Sequence, residues 1–116
     1  MKRLIFCFDI DNTICKTIGS NYTKSKPIKK NIILINQLYN SGHHIKIFTS
    51  RYMGRYNSNI KMVKKQGYKK TFNQLTKWGL KFNSLIMGKP RYDYFIDDKN
   101  FDFNKNWVKK IKSKFL

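Results

Sequence analysis

Apolar and polar positions alternate along the chain in blocks of two different periods. Leu4-Ile5-Phe6-Cys7-Phe8 is a continuous apolar run, the pattern of a strand buried on both faces of a parallel sheet. The polar stretch 16–26 follows, with Gly19, Ser20 and Asn21 marking a turn or short hairpin. Pro27 suits a first helical position, and Ile28, Ile32, Ile35 and Tyr39 recur at helical spacing until Gly42 provides a stop. His44-Ile45-Lys46-Ile47-Phe48 is a second strand ending at Thr49-Ser50-Arg51, with a loop from Met53 to Asn59 beyond it.

Ile60 to Gln66 reads as a short helix stopped by Gly67, and Thr71 with Gln74 three residues on matches a capping box that starts another, ending near Gly79. Ser84-Leu85-Ile86-Met87 is a third strand closed by Gly88-Lys89-Pro90. Tyr94-Phe95-Ile96 is a short fourth, and Trp107, Val108, Ile111 and Phe115 space out a closing helix. Strands alternating with helices predict an α/β fold, a three-layer Rossmann-like arrangement around a mostly parallel sheet, with residues 1–116 as one domain and no linker or repeat. Ligands of such sheets bind beyond the carboxyl ends of the strands.

Charge changes the picture. The chain carries 25 Lys and Arg against six acidic residues, a formal net charge of +19, and all six acids are Asp. Four of them cluster: Asp9 and Asp11 close the first strand, and Asp97 and Asp98 close the fourth. Solvation alone would scatter rare carboxylates, so their gathering at strand ends points to a metal or to acid/base chemistry. The basic excess favours anionic ligands, but Lys is spread through the chain and mixed with Asn and Ile, which reads as compositional bias rather than a stripe built for nucleic acid. No apolar stretch reaches the length of a membrane span, and Met1-Lys2-Arg3 with the short run to Asp9 is too brief for a secretory signal, so a cytoplasmic protein is expected. Cys7 and Cys15 have no metal-ligand spacing and are expected to be reduced and structural, with Cys15 open to modification near the Asp9 cluster. His43 and His44, at the sheet's far end, are expected to be structural.

Phe8-Asp9-Ile10-Asp11-Asn12-Thr13 resembles the first motif of the haloacid dehalogenase superfamily of phosphotransferases. Ile47-Phe48-Thr49 resembles the second motif, Lys89 the third and Asp97-Asp98 the fourth, all in the family's order. The stretch from Trp78-Gly79 through Gly88-Lys89-Pro90 to Ile96-Asp97-Asp98-Lys99 is similar to small bacterial phosphatases of capsular or surface-polysaccharide biosynthesis.

The resemblance implies a Mg²⁺-dependent phosphomonoesterase in which Asp9 attacks phosphorus and Asp11 serves as general acid and then base. It implies metal ligation by Asp9, by the backbone carbonyl of Asp11, by Asp98 directly and by Asp97 through water. Thr49 would bond a phosphate oxygen, and Lys89 would neutralise the transferring group. Arg51, with Ser50 beside it, would steady the substrate's phosphate or leaving group, the alternative being a solvated Arg51. Tyr52, Tyr56 and Tyr92 lie near the expected mouth, as stacking groups or as packing.

Larger members insert a cap domain; here 14–26 allows only a small flap and 51–70 only a loop and short helix, so the site is expected to be open. The expected substrate is a small phosphorylated metabolite such as a sugar phosphate, with a homo-oligomer partner as one way to complete the site. Thr49-Ser50-Arg51 also resembles nucleic-acid 3′-phosphatases, which makes a nucleic-acid end the second enzyme reading. The third is a catalytically idle module that grips phosphorylated partners, against which the intact Asp9 and Asp11 speak.

Overall fold

The computed structural model describes residues 2–116. Strands β1 (Ile5–Phe8), β4 (His44–Thr49) and β5 (Ser84–Met87) form a parallel sheet in the order β1-β4-β5. A flap hairpin of β2 (Cys15–Lys16) and β3 (Lys26–Pro27), with a 3₁₀ turn at Tyr22–Lys24, follows β1. Three helices complete the fold: α1 (Lys29–Asn40), α2 (Ile60–Lys77) and α3 (Trp107–Phe115). The α/β class, the mostly parallel sheet and the lack of a large cap follow the sequence pattern.

Register places Phe6 and Phe8 beside Ile45 and Ile47, and Ile47 and Thr49 beside Leu85 and Met87, so these side chains share one face of the sheet. The helices cover that face: α1 packs on β4, α2 on β5, and α3 sets Phe115 and Trp107 against Phe6 and Phe8. Ile32, Leu34, Ile35, Leu38, Val63 and Leu75 fill the core beneath. The opposite face carries Ile5, Cys7, Lys46 and Ile86, and Ile5 is 67% exposed. The first apolar run is therefore buried on one face, not on both. Its length matched a doubly covered strand, but which faces are covered depends on where the helices fall, and period alone does not encode that.

Other expectations are corrected as well. Pro27 ends β3 instead of opening a helix, and α1 starts two residues later after Ile28. The two short helices predicted around Gly67 are one continuous α2, capped by the Asn59 side chain, which accepts from the Met62 amide at 3.2 Å. Thr71 is buried on the inner face of that helix, so its hydroxyl caps nothing. Tyr94–Ile96 forms no strand; residues 91–106 run without helix or strand and are largely exposed. His43 is structural, as expected: its Nδ1 accepts the Leu4 amide at 3.0 Å and its ring meets Phe6 edge-on. No helix among the described residues is long and apolar enough to cross a membrane.

Candidate active site

The parallel register brings three chain segments to one end of the sheet. Asp9 follows the last residue of β1, Thr49 is the last of β4, and Lys89 lies two residues past β5. The Lys89 amide donates to the Thr49 carbonyl at 3.1 Å, prolonging the β4–β5 pairing into the loop and fixing where Lys89 leaves the sheet. Its ammonium then lies 3.8 Å from Asp9 Oδ2. Burial pushes the Asp9 carboxyl above the ordinary carboxylate range, and Lys89 and the Ile10 amide act against that rise. The Asp9 side chain still exposes 36% of its surface, so its carboxylate is open to solvent.

Asp11 is held differently. Arg51 Nη2 donates to Asp11 Oδ1 at 2.9 Å and Nε to Oδ2 at 3.0 Å, a bidentate pair. Thr17 of the flap donates its hydroxyl to Oδ1 at 2.6 Å. With that proton spent, the Ser25 hydroxyl is the donor in its 2.6 Å contact with Thr17. Arg51 is buried, 2% exposed, which excludes the solvated alternative. Its Nη1 donates to Gln74 Oε1 at 2.6 Å, its face lies 5.0 Å from the Tyr22 ring centroid, and its amide donates to Thr49 Oγ1 at 3.1 Å. Gln74 in turn donates to the Tyr22 carbonyl at 2.8 Å, tying α2 to the flap.

Thr49 is fully buried and its hydroxyl, accepting from Arg51, keeps a proton to donate. Ser50 is half-buried, and its carbonyl accepts the Met53 amide in the turn that follows. Tyr52 adopts a left-handed φ of 69° and turns its ring into the core, edge-on to Tyr22. That makes it packing rather than a stacking surface. Tyr56 is half-buried against Tyr52. Tyr92 is exposed and pairs with Phe95, the Lys89 ammonium lying 5.3 and 5.5 Å from the two ring centroids.

Asp97 and Asp98 are exposed, in the irregular stretch after β5. The Lys99 amide donates to Asp97 at 3.1 Å and, with the Asp98 side chain, holds the Asp97 carboxyl below its ordinary range. Among the described residues no group of three or more His, Cys, Asp or Glu gathers around a point that would hold a metal ion. The donors are hard oxygens of the type Mg²⁺ prefers, and Arg51 engages the Asp11 carboxylate rather than the backbone carbonyl expected as a ligand, but Asp97 and Asp98 do not join Asp9. The arrangement does not fit a complete cation cage.

Both cysteines are free thiols. Cys15 is fully buried and Cys7 is the exposed one, the reverse of the expectation that Cys15 would be the reactive thiol. Burial also raises the Cys15 thiol above its ordinary range, with Thr17 acting against the rise. An aromatic disulfide reagent is expected to label one thiol per chain quickly, mapping to Cys7 by mass spectrometry, and the second only after unfolding. Rapid native labelling of Cys15 would contradict this packing.

With this geometry in place, the chain can be set beside known proteins. Its fold is similar to a structural-genomics target from Vibrio cholerae, with a TM-score of 0.79 at 21% identity over 95% of this chain and 97% of that one. It is also similar to a chain of the Pnkp1/Rnl/Hen1 complex, with a TM-score of 0.52 at 14% identity over 98% of this chain but 34% of the other. At such identities the likeness extends to the fold. No family model and no curated protein matches.

Gln74, Thr17 and Ser25 are site residues that motif reading did not find. Gln74 carried a signal, because it lies beside the buried series Val63, Gly67, Thr71 and Leu75; a polar side chain at the edge of that face needs a partner. Thr17 and Ser25 sit in a polar hairpin with no period to single them out.

Proposed function

We propose that this protein is a phosphomonoester hydrolase that works through an aspartyl-phosphate on Asp9, acting on a small phosphorylated metabolite such as a sugar phosphate. The observation that carries the reading is the Asp9 carboxylate, accessible and facing the Lys89 ammonium at 3.8 Å, with Asp11 locked in place two residues on. A free carboxylate beside a cation would be a plain ion pair; a second, separately held carboxylate supplies the proton transfers that two-step hydrolysis needs. Thr49 at the neighbouring strand end offers a hydroxyl proton for a phosphate oxygen, and Lys89 offsets charge on the transferring group. Mg²⁺ is the cation expected to assist, with Asp9 as the donor this arrangement presents, and with Asp97 and Asp98 as the donors residues 91–106 would have to bring in.

A second reading, the 3′-phosphate of a nucleic-acid end, is favoured by one observation: the exposed Tyr92–Phe95 pair beside Lys89 could stack on a base. One panel separates the two. Sugar phosphates, nucleotides and 3′-phosphorylated oligonucleotides are assayed for phosphate release with Mg²⁺, with chelator, and across a salt series. The sugar-phosphate reading expects Mg²⁺-dependent release, abolished by chelator, with a shallow salt response. Preference for oligonucleotides with a log–log salt slope of roughly −0.7 per contacted phosphate would install the second reading. Phosphate release from none of these substrates, with Mg²⁺ present, would leave the idle phospho-ligand module.

A further inference from the structure

Each nitrogen of the Arg51 guanidinium already has a protein partner, Nε and Nη2 on Asp11 and Nη1 on Gln74. We propose that Arg51 is the positioning residue of Asp11: it holds the carboxylate so that proton transfer runs through Oδ2 alone, and Gln74 and the flap complete the clamp. The inference rests on the phosphohydrolase reading above and assigns to Arg51 a role other than gripping the substrate phosphate.

A carboxylate offers about four lone-pair directions, two per oxygen. Oδ1 of Asp11 is crowded, accepting from Thr17 Oγ1 at 2.6 Å and from Arg51 Nη2 at 2.9 Å, with Arg51 Nε at 3.2 Å and the Cys15 thiol at 3.7 Å beside them. Oδ2 accepts from Arg51 Nε at 3.0 Å and keeps one direction open. The side chain is 22% exposed, and Oδ2 is the less crowded of its two oxygens. Arg51 itself is closed off: its side chain is 1% exposed, Nη1 is given to Gln74, Nη2 also points at Ser25 Oγ, and its face is covered by Tyr22. A planar fork is needed for this grip, and an ammonium on a flexible stem does not reproduce it.

The clamp also reaches the flap from both sides. Thr17 and Ser25 belong to the hairpin segment, and the Tyr22 carbonyl accepts from Gln74, the same side chain that accepts from Arg51. Displacing the flap therefore loosens Asp11 at both oxygens.

In the first step the bond between phosphorus and the ester oxygen breaks as an Asp9 oxygen–phosphorus bond forms, and the leaving oxygen takes the proton from Asp11 Oδ2. In the second step water attacks the phosphorus of the aspartyl-phosphate and passes one proton to Asp11 Oδ2. The Asp9–phosphorus bond then breaks, releasing phosphate and restoring both carboxyls.

Positioning and phosphate-gripping predict different kinetics. Misplacing the acid harms substrates with poor leaving groups most, whereas losing a phosphate contact weakens every substrate equally. Arg51→Met and Arg51→Lys are assayed on glycerol phosphate, an alkyl ester, and on p-nitrophenyl phosphate, an activated one. For Arg51→Met, kcat/KM on the alkyl ester, which reports the first step alone, should fall roughly 10²-fold, within the range of a lost general acid, and about tenfold less on the aryl ester. KM on both should stay within about threefold of the parent, and combining Arg51→Met with Asp11→Asn should add nothing to Asp11→Asn alone. Arg51→Lys should recover less than about tenfold of the loss, because the fork is missing.

Should Arg51→Met fail to fold, Gln74→Ala removes the 2.6 Å support and should give the same leaving-group-selective loss at about tenfold on the alkyl ester. An equal rise of KM on both esters, or parental kcat/KM in both Arg51→Lys and Gln74→Ala, overturns the proposal. If Asp9→Asn is inactive while the Arg51 variants turn over normally, only this inference fails; if Asp9→Asn is fully active, the hydrolase reading itself fails.

Discussion

Asp9→Asn is expected to lose turnover by roughly 10³-fold or more while remaining folded, the scale on which removing a nucleophile acts in enzymes with covalent intermediates. The amide nearly matches the carboxylate in shape, so packing around Phe8 and Ile10 is kept while the attacking charge is lost. The Asp9 pKa predicts how stability responds. Its folded value is raised above 3.8, so its protonated form is favoured in the native state. That contribution is fully present below the ordinary carboxylate value and is lost as pH rises through the folded one. At neutral pH the parent therefore keeps a desolvated charge that Asn lacks. In metal-free buffer Asp9→Asn should melt at least as high as the parent at pH 7, and the difference should close as pH falls below 3.8. Phosphate release by a purified, folded Asp9→Asn at the parental rate would remove Asp9 from the nucleophile's role. A beryllium fluoride complex trapped on any other carboxylate would do the same.

Much of this site was legible in the chain because its placement follows from local rules. An apolar run followed by Asp9 and another followed by Thr49 put both residues at strand carboxyl ends as soon as the sheet is parallel, and Gly88 and Pro90 mark the loop that carries Lys89. What stayed hidden was tertiary. Arg51 looked as much like surface as like a ligand because its burial depends on Tyr22, Gln74 and Asp11 converging from three other segments. Thr71 three residues before Gln74 spells a capping box, and local capping chemistry has the same spelling as an inward-facing pair on a longer helix. The stretch 91–106 had a β-like triplet, Tyr94-Phe95-Ile96, but strand formation needs a partner edge, and here those residues are exposed. The fate of Asp97 and Asp98 depends on that pairing.

Gly67→Ala tests how tightly the scaffold behind the site is packed, and two opposing effects decide its sign. In a helix interior Ala is favoured over Gly by about 0.5–1 kcal/mol, so an exposed Gly67 would gain from the change. Gly67 is buried in the middle of α2, where a Cβ would overlap Tyr52 Cδ2 outright and lie 2.7 Å from Cε2 and 3.2 Å from Met87 Cε. Met87 is flexible and yields at small cost. The Tyr52 ring is not flexible: it is 3% exposed, packed edge-on to Tyr22, and carried on a backbone already in the left-handed region at φ 69°. Either the ring or the helix must move, and overpacking of this kind typically costs about 1–3 kcal/mol. The clash therefore outweighs the helix gain, and Gly67→Ala should lower the melting temperature by about 4 °C per kcal/mol of net loss. Because Tyr52 follows Arg51 directly and leans on Tyr22, the same shift should disturb the Asp11 clamp and reduce turnover more than it changes KM. Gly67→Ala melting above the parent would show that α2 and the Tyr52 turn separate freely, and the close helix approach would then have no part in holding Arg51.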